Sequence, residues 1–254
     1  MDFWQIILVL VVGFIAGVIN VMAGGGSLLT MPLLIFLGLD STMANGTNRI
    51  AILFQNATAV GGFKSSGLSP GRFGIYLGIS ALVGAIIGSK IALEIPDAIF
   101  NKILAVIMVI VVVMTLINPS LKLKEGEALV ERLGTKHKFL AIIALFFVGI
   151  YGGFIQAGTG LFIMAALSFI NRYDLLKANV AKATIMFIYT LSAIAIFAFA
   201  GEVNLFYGAA LAISMSLGAW WASRWSSGAG QQYIKWFMIL AVTVMAVSLW
   251  LKAS

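Results

Sequence analysis

Long apolar runs separated by short polar connections set the pattern of this chain. A helix needs about 20 mostly apolar residues to cross the hydrocarbon core of a bilayer. Residues 3–22, 44–63, 71–93, 99–117, 139–156, 177–200, 205–225 and 233–251 have that character. Two further apolar runs, 28–39 and 161–170, are too short to cross comfortably. Each follows a cluster of small residues, Ala23-Gly24-Gly25-Gly26-Ser27 in one case and Gln156-Ala157-Gly158-Thr159-Gly160 in the other. The only long polar stretch, 118–138, lies between two sets of these elements. The pattern therefore divides the chain into an N-terminal membrane repeat (1–118), a linker (119–138) and a C-terminal membrane repeat (139–254).

The halves match each other at a fixed offset of 134 residues, Asp40 against Asp174. At that offset Gly24 and Gly26 fall on Gly158 and Gly160, Ala44-Asn45 on Ala178-Asn179, Gly84-Ala85 on Gly218-Ala219, and Lys90 on Arg224. Matched glycine and polar positions are the signature of an internal duplication. Counting the short segments as crossings gives five elements per half, and an odd number inverts the second half relative to the first. That count puts Lys64, Arg72, the linker, Arg172, Lys177 and Arg224 on one face. Treating the short segments as re-entrant gives eight spans, parallel repeats and little charge asymmetry. The expected fold is thus an all-α polytopic membrane protein with two homologous five-element halves in inverted topology, about ten helices, with both termini outside.

Composition agrees with the pattern. Hydrophobic residues make up 61% of the chain and charged ones 10%, against about 25% charged in soluble domains. The net charge of +7 is spread over connections between spans rather than gathered on one face, so membrane orientation accounts for it and nucleic acid does not. The basic linker is expected in the cytoplasm, and the protein in a bacterial inner membrane. Cysteine is absent, which removes disulfides, thiolate metal sites and cysteine nucleophiles. Asp2 stands where a cleaved signal would carry a basic leader, so 3–22 reads as a retained span.

The candidate chemistry lies at the two small-residue breaks. Irregular backbone survives at membrane depth only where protein or a water-lined cavity satisfies it, and a helix starting there points its free amides and positive dipole end into that cavity. Gly24, Gly25, Gly26, Gly158 and Gly160 leave the amides uncovered, and Ser27, Gln156 and Thr159 add hydrogen-bonding groups. Small residues also suit close helix packing, the role assigned to Gly13 and Gly17, Gly84 and Gly88, and Gly149 and Gly153. A second constellation, Asn45, Asn48 and Arg49 in one half and Asn179 and Lys182 in the other, shares a helix face by its spacing. Arg49 and Lys182 must either snorkel to an interface or face a polar interior. Gln55 and Tyr189 share a position in the duplication and line a pathway or join helices. Asp40 and Asp174 read as helix caps, and Lys90 and Arg224 as interface anchors. His137 alone builds no zinc site, and no HExxH, phosphate-binding loop or nucleophile–base pair occurs. The residues favour a carrier of a small anion without cofactor, and an anion channel is the alternative. Partners expected of a carrier are the anion, membrane lipid and a coupling ion, proton or sodium; a homodimer is compatible.

The run GFIAGVINVMAGGGSLLTMP at 13–32, followed by DSTMANGTNR at 40–49, resembles the sulfite exporter TauE/SafE family of membrane transporters over nearly the whole chain. A glycine-rich break, an Asn-rich start to the next helix, a basic central loop and a degenerate second copy recur in that family. The resemblance implies export of sulfur-containing anions such as sulfite, sulfoacetate or other organosulfonates. At the offset of 134 the second copy has Thr159 where the first has a glycine, and Lys182 where it has Asn48.

Overall fold

A computed structural model describes residues 3–117, 131–225 and 230–252. All regular structure among them is helical: α1 (Phe3–Ala23), α2 (Ser27–Phe36), α3 (Ser41–Ser65), α4 (Gly71–Glu94), α5 (Asp97–Ile117), α6 (Thr135–Phe154), α7 (Thr159–Asn171), α8 (Leu175–Phe199), α9 (Leu205–Trp225) and α10 (Gly230–Lys252). The chain is an all-helical polytopic membrane protein. Among the described residues six helices, α1, α4, α5, α6, α8 and α9, are long and apolar enough to cross a bilayer. Helix α3 fails that test because it buries Asn45, Thr47, Asn48, Arg49, Gln55 and Asn56. Large apolar side chains such as Phe199, Leu205 and Trp236 cover the outside, as lipid requires.

Helix α6 begins at Thr135, so Lys136 and Lys138 belong to its first turn and not to the linker. Linker residues Lys122, Lys124, Glu125 and Glu127 lie outside the described residues, as do Asp2 and the side chain of Arg224. The last linker residues are anchored. Glu131 holds Lys177 through both carboxylate oxygens at 2.5 and 2.6 Å, and the Arg132 N–H donates to the Asn171 carbonyl at 2.9 Å. Burial beside Glu131 pushes the Tyr173 phenol up to about 12.

Helices α1 and α6 each pack mainly on a helix of the other half. Helix α1 packs on α9 and α6 on α4, while α3 touches both α8 and α9. Glycine makes these seams. A Cβ on Gly84 would be driven into the Phe146 carbonyl, on Gly88 into that of Ile150, on Gly149 into that of Ala81 and on Gly153 into that of Ala85, all between α4 and α6. Gly17 meets the Met215 carbonyl and Gly218 that of Phe14 in the same way between α1 and α9.

The connections cluster as well. The Asp97 carboxylate accepts the Ser41 N–H at 2.8 Å, the Asn204 N–H donates to Thr47 Oγ1 at 2.8 Å, and Glu202 is close enough to Asp40 and Asp97 to feel both charges. Asp174 caps α8 as expected, accepting the Lys177 N–H at 2.7 Å. Asp40 does not cap α3 with its side chain; Asp97 takes that role because the start of α5 lies beside the start of α3. Lys90 is exposed, as an interface anchor would be.

Two stability tests follow. Gly153→Val should lower stability by about 1–3 kcal/mol or more, whereas Gly61→Ala, which meets nothing within 4 Å, should be neutral or slightly stabilising; thermal unfolding in detergent distinguishes them. Burial, then the charges of Asp40 and Asp97, raise the Glu202 carboxyl above its ordinary value of 4.5. Its ionisation therefore costs the folded state stability as pH rises through that value towards the raised one. Glu202→Gln should melt higher than the parent at neutral pH and lose that advantage in acid, where Glu202 is protonated in both states.

Candidate functional site

Helix α1 ends at Ala23 and α6 at Phe154, well inside the bundle. The last carbonyls of a helix have no partner within it, and lipid supplies none. At α6 they are met by α3. Arg49 Nη1 donates to the Gly152 carbonyl at 3.1 Å and Nη2 to that of Gly153 at 2.5 Å. Nη2 also reaches Asn45 Oδ1 at 3.0 Å, and Asn45 Nδ2 donates to the Phe154 carbonyl at 2.7 Å. The guanidinium is fully buried and lies 4.7 Å from the Phe197 ring centre.

At α1 the arrangement recurs with different residues. Lys182 Nζ donates to Asn179 Oδ1 at 2.8 Å and to the Asn20 carbonyl at 3.4 Å. Gln55 Nε2 donates to the Gly17 carbonyl at 3.2 Å and Gln55 Oε1 accepts from Asn20 Nδ2 at 2.7 Å. A cation at a helix C-terminus is favoured by the macrodipole. Neither Arg49 nor Lys182, which is 5% exposed, reaches the surface. Of the two placements the sequence leaves open, snorkelling to an interface or facing a polar interior, both cations take the second, because the carbonyls they bond are inside.

The breaks turn each chain segment back on itself. Gly24 at φ 76°, Gln156 at φ 60° and Gly158 at φ 72° adopt the left-handed conformation, and a Cβ on Gly26 would collide with the Ala16 carbonyl. Thr30 Oγ1 then donates to Asn48 Oδ1 at 2.6 Å, about two turns nearer the start of α3 than the Asn20–Gln55 pair. Helix α2 therefore runs back along α1. The two tips meet: a Cβ on Gly24 would lie 3.3 Å from both the Gly160 carbonyl carbon and the Leu161 nitrogen.

The structure revises the register at this point. Helices α3 and α8 start 134 residues apart, at Ser41 and Leu175, but α2 and α7 start 132 apart, at Ser27 and Thr159, because α7 has 13 residues and α2 has 10. Thr159 thus corresponds to Ser27, not to a glycine, and each short helix opens with a hydroxyl after a glycine. Both hydroxyls serve the second break. Thr159 Oγ1 donates to the Gln156 carbonyl at 2.8 Å, and Ser27 Oγ donates to the same carbonyl at 3.4 Å while accepting the Gly158 N–H at 3.3 Å. The bare amide cradle expected from the sequence is accordingly part-filled. The Thr159 and Leu161 N–H groups donate to the Gln156 and Gly158 carbonyls, and those of Leu28 and Leu29 to Gly25 and Gly26.

Tyr189 is buried against this second tip, where a Cβ on Gly152 would lie 3.1 Å from its Cζ and 2.9 Å from the Thr159 methyl. Gln55 lies instead against α1, so the two do not share one environment. Asn20, Thr30 and Thr190, which accepts from Gln156 Nε2 at 3.4 Å, belong to the same polar core; the lone Asn20 in an apolar run was the available signal for the first. Asn48 Nδ2, Arg49 Nε and Tyr189 Oη are buried donors with no hydrogen-bond partner among the described residues, and Gln156 Oε1 is a buried acceptor in the same state. No carboxylate forms an ion pair with Arg49 or Lys182 among the described residues, and none of these residues groups into a set of three metal-ligating acids or histidines.

The profile of one family, described as sulfite exporter TauE/SafE, matches residues 9–249. The chain belongs to the sulfite exporter TauE/SafE family. Among its relatives, a "Probable membrane transporter protein ORF9" from Sinorhizobium sp is 25% identical over 240 residues, 94% of this chain and 90% of that protein. No solved structure matches. In this TauE/SafE chain, then, the polar core that holds the broken helix ends is the candidate site.

Gln156 offers a test of how that core is strained. A side chain in the left-handed region costs about 1–2 kcal/mol, and the Oε1 atom is unpaired. Gln156→Gly should therefore leave thermal stability equal or raised and Gln156→Ala should not; a lower melting temperature for the glycine variant would assign Gln156 a structural role.

Proposed function

We propose that this protein is a secondary transporter, an exporter, of small sulfur-containing anions such as sulfite, sulfoacetate or other organosulfonates, working by alternating access. The observation that carries the reading is the pair of buried cations, Arg49 and Lys182, without a carboxylate partner among the described residues. A charge taken into low dielectric needs compensation. Helix C-termini provide part of it, roughly half an elementary charge each. An anion supplies the remainder, and the unpaired donors Asn48 Nδ2 and Tyr189 Oη suit its oxygens. Ser27, Asn45, Gln156, Thr159 and Asn179 frame the same space.

The inverted arrangement is part of this proposal, and the packing supports it over eight spans with parallel repeats. Exchanging α1–α5 with α6–α10 turns the α4–α6 contact into α9–α1, and α4–α8 into α9–α3, and all four contacts exist. The neighbours Asp40, Asp97 and Glu202 follow two, four and eight segments, so they share a face when the short helices count as crossings and do not when α2 and α7 alone are left out of the count. By the same count the basic Lys64, Arg72, Arg132, Arg172 and Lys177 share the opposite face, which we assign to the cytoplasm of a bacterial inner membrane. Access would alternate by rocking the two hairpin tips, joined at Gly24, Gly160 and Ser27, against α3 and α8.

Counterflow into proteoliposomes tests the transport reading. Saturable sulfite or sulfoacetate uptake, stimulated by the same anion on the far side, is expected; unsaturated flux without trans-stimulation would mark an anion channel. A ligand at about 100 times its Kd should also stabilise the folded protein by about 2.7 kcal/mol. If sulfite, sulfoacetate, taurine, sulfate and thiosulfate all leave the melting temperature unmoved, the substrate class is wrong.

A further inference from the structure

The two buried cations are not equivalent, and the difference assigns their roles. The guanidinium of Arg49 is spent on protein: its two terminal nitrogens bond the carbonyls of Gly152 and Gly153 and Asn45 Oδ1, and its face rests on Phe197. Only Nε is left. An anion could engage the bidentate fork only by stripping the end of α6 of its partners.

Lys182 is held more weakly. Its ammonium has three donors and two acceptors within reach. One of these, the Asn20 carbonyl, is distant at 3.4 Å and already accepts the Gly24 N–H at 3.0 Å. The stem passes the first turn of α7, where a Cβ on Gly160 would lie 3.3 Å from Lys182 Cδ and 3.0 Å from the Gly24 carbonyl oxygen. The ammonium is therefore held where the two hairpin tips meet, beside the positive end of α7. A cation next to a helix N-terminus, with a spare donor and no carboxylate partner among the described residues, lacks one component, and that component is an anion.

Building on the anion-transport reading above, we propose that Lys182 contacts the transported anion at the junction of the two tips, whereas Arg49 is a positioning residue that fixes the end of α6. Asn179 orients the ammonium, and Gly160 makes room for its stem.

The test is transport of sulfite or sulfoacetate by full-length protein in proteoliposomes, with melting temperatures in detergent measured in parallel. Lys182→Gln should raise KM by about 10- to 100-fold, the loss of one charge-assisted hydrogen bond, with the melting temperature little changed. Lys182→Arg should restore KM to within a few-fold of the parent. Arg49→Lys, which keeps the charge but not the fork, should lower the melting temperature and change KM less than Lys182→Gln does. Because the chain has no cysteine, Lys182→Cys can be alkylated selectively. A cationic aminoethyl reagent should recover affinity and an anionic sulfonatoethyl reagent should not.

The assignment is overturned if Lys182→Gln keeps the parent KM, if Arg49→Lys raises KM at unchanged stability, or if both thiol reagents act alike. Those results leave anion transport standing. Parent protein that moves no anion at all defeats the transport reading itself, and this assignment with it.

Discussion

A helix that stops inside an apolar bundle leaves carbonyl groups that apolar neighbours cannot satisfy, and this protein has two such ends, those of α1 and α6. Each unpaired buried carbonyl would cost about 1–3 kcal/mol, so the ends of α1 and α6 dictate what surrounds them. They account for the polar α3, for two full cations at membrane depth, and for Asn45 and Asn179 at equivalent positions on α3 and α8. The cations are stable there because they face helix C-termini, where the backbone provides fractional negative charge without an acidic side chain. Removing Arg49 would take its donor from the Gly152 carbonyl, whereas the Asn20 carbonyl beside Lys182 still accepts the Gly24 N–H.

The partners come from across the duplication. Helix α3 of the first half holds the end of α6 in the second, through Arg49 and Asn45. Helix α8 of the second half holds the end of α1 in the first, through Lys182. Neither hairpin tip is therefore completed by its own half. Behind the tips, glycine seams between α4 and α6 and between α1 and α9 bring backbones into contact, so each long arm of a hairpin rests on a flat, closely packed support. A rigid arm with a hydrogen-bonded tip is suited to the proposed exchange of access, because the polar contacts are few and local while the apolar packing behind them is extensive.

The second break carries more structure than the first. Gln156, Ser27 and Thr159 form a small network around one carbonyl, whereas the first break is built from consecutive glycines. The asymmetry extends to the cations, a fully bonded guanidinium on one side and a partly bonded ammonium on the other. A binding site composed of two such unlike parts has no reason to obey the two-fold relation that the helices follow.

The sequence by itself determined that the chain spans a membrane and where its helices lie to within a few residues, and it marked the two small-residue breaks and the internal match between the halves. Those features are local: apolar length, glycine clusters and spaced asparagines act through hydrogen bonding and burial within a few turns. Only tertiary structure decided the register and the partners. The two-residue shift that pairs Thr159 with Ser27 arises from the length of α7, and the cap on α3 comes from Asp97 because α5 starts beside it. The placement of Arg49 and Lys182 on the ends of α6 and α1 depends on helices more than 100 residues away in sequence. A cation near a helix start reads as interfacial until the carbonyls it must satisfy are known, and those belong to the other half of the chain.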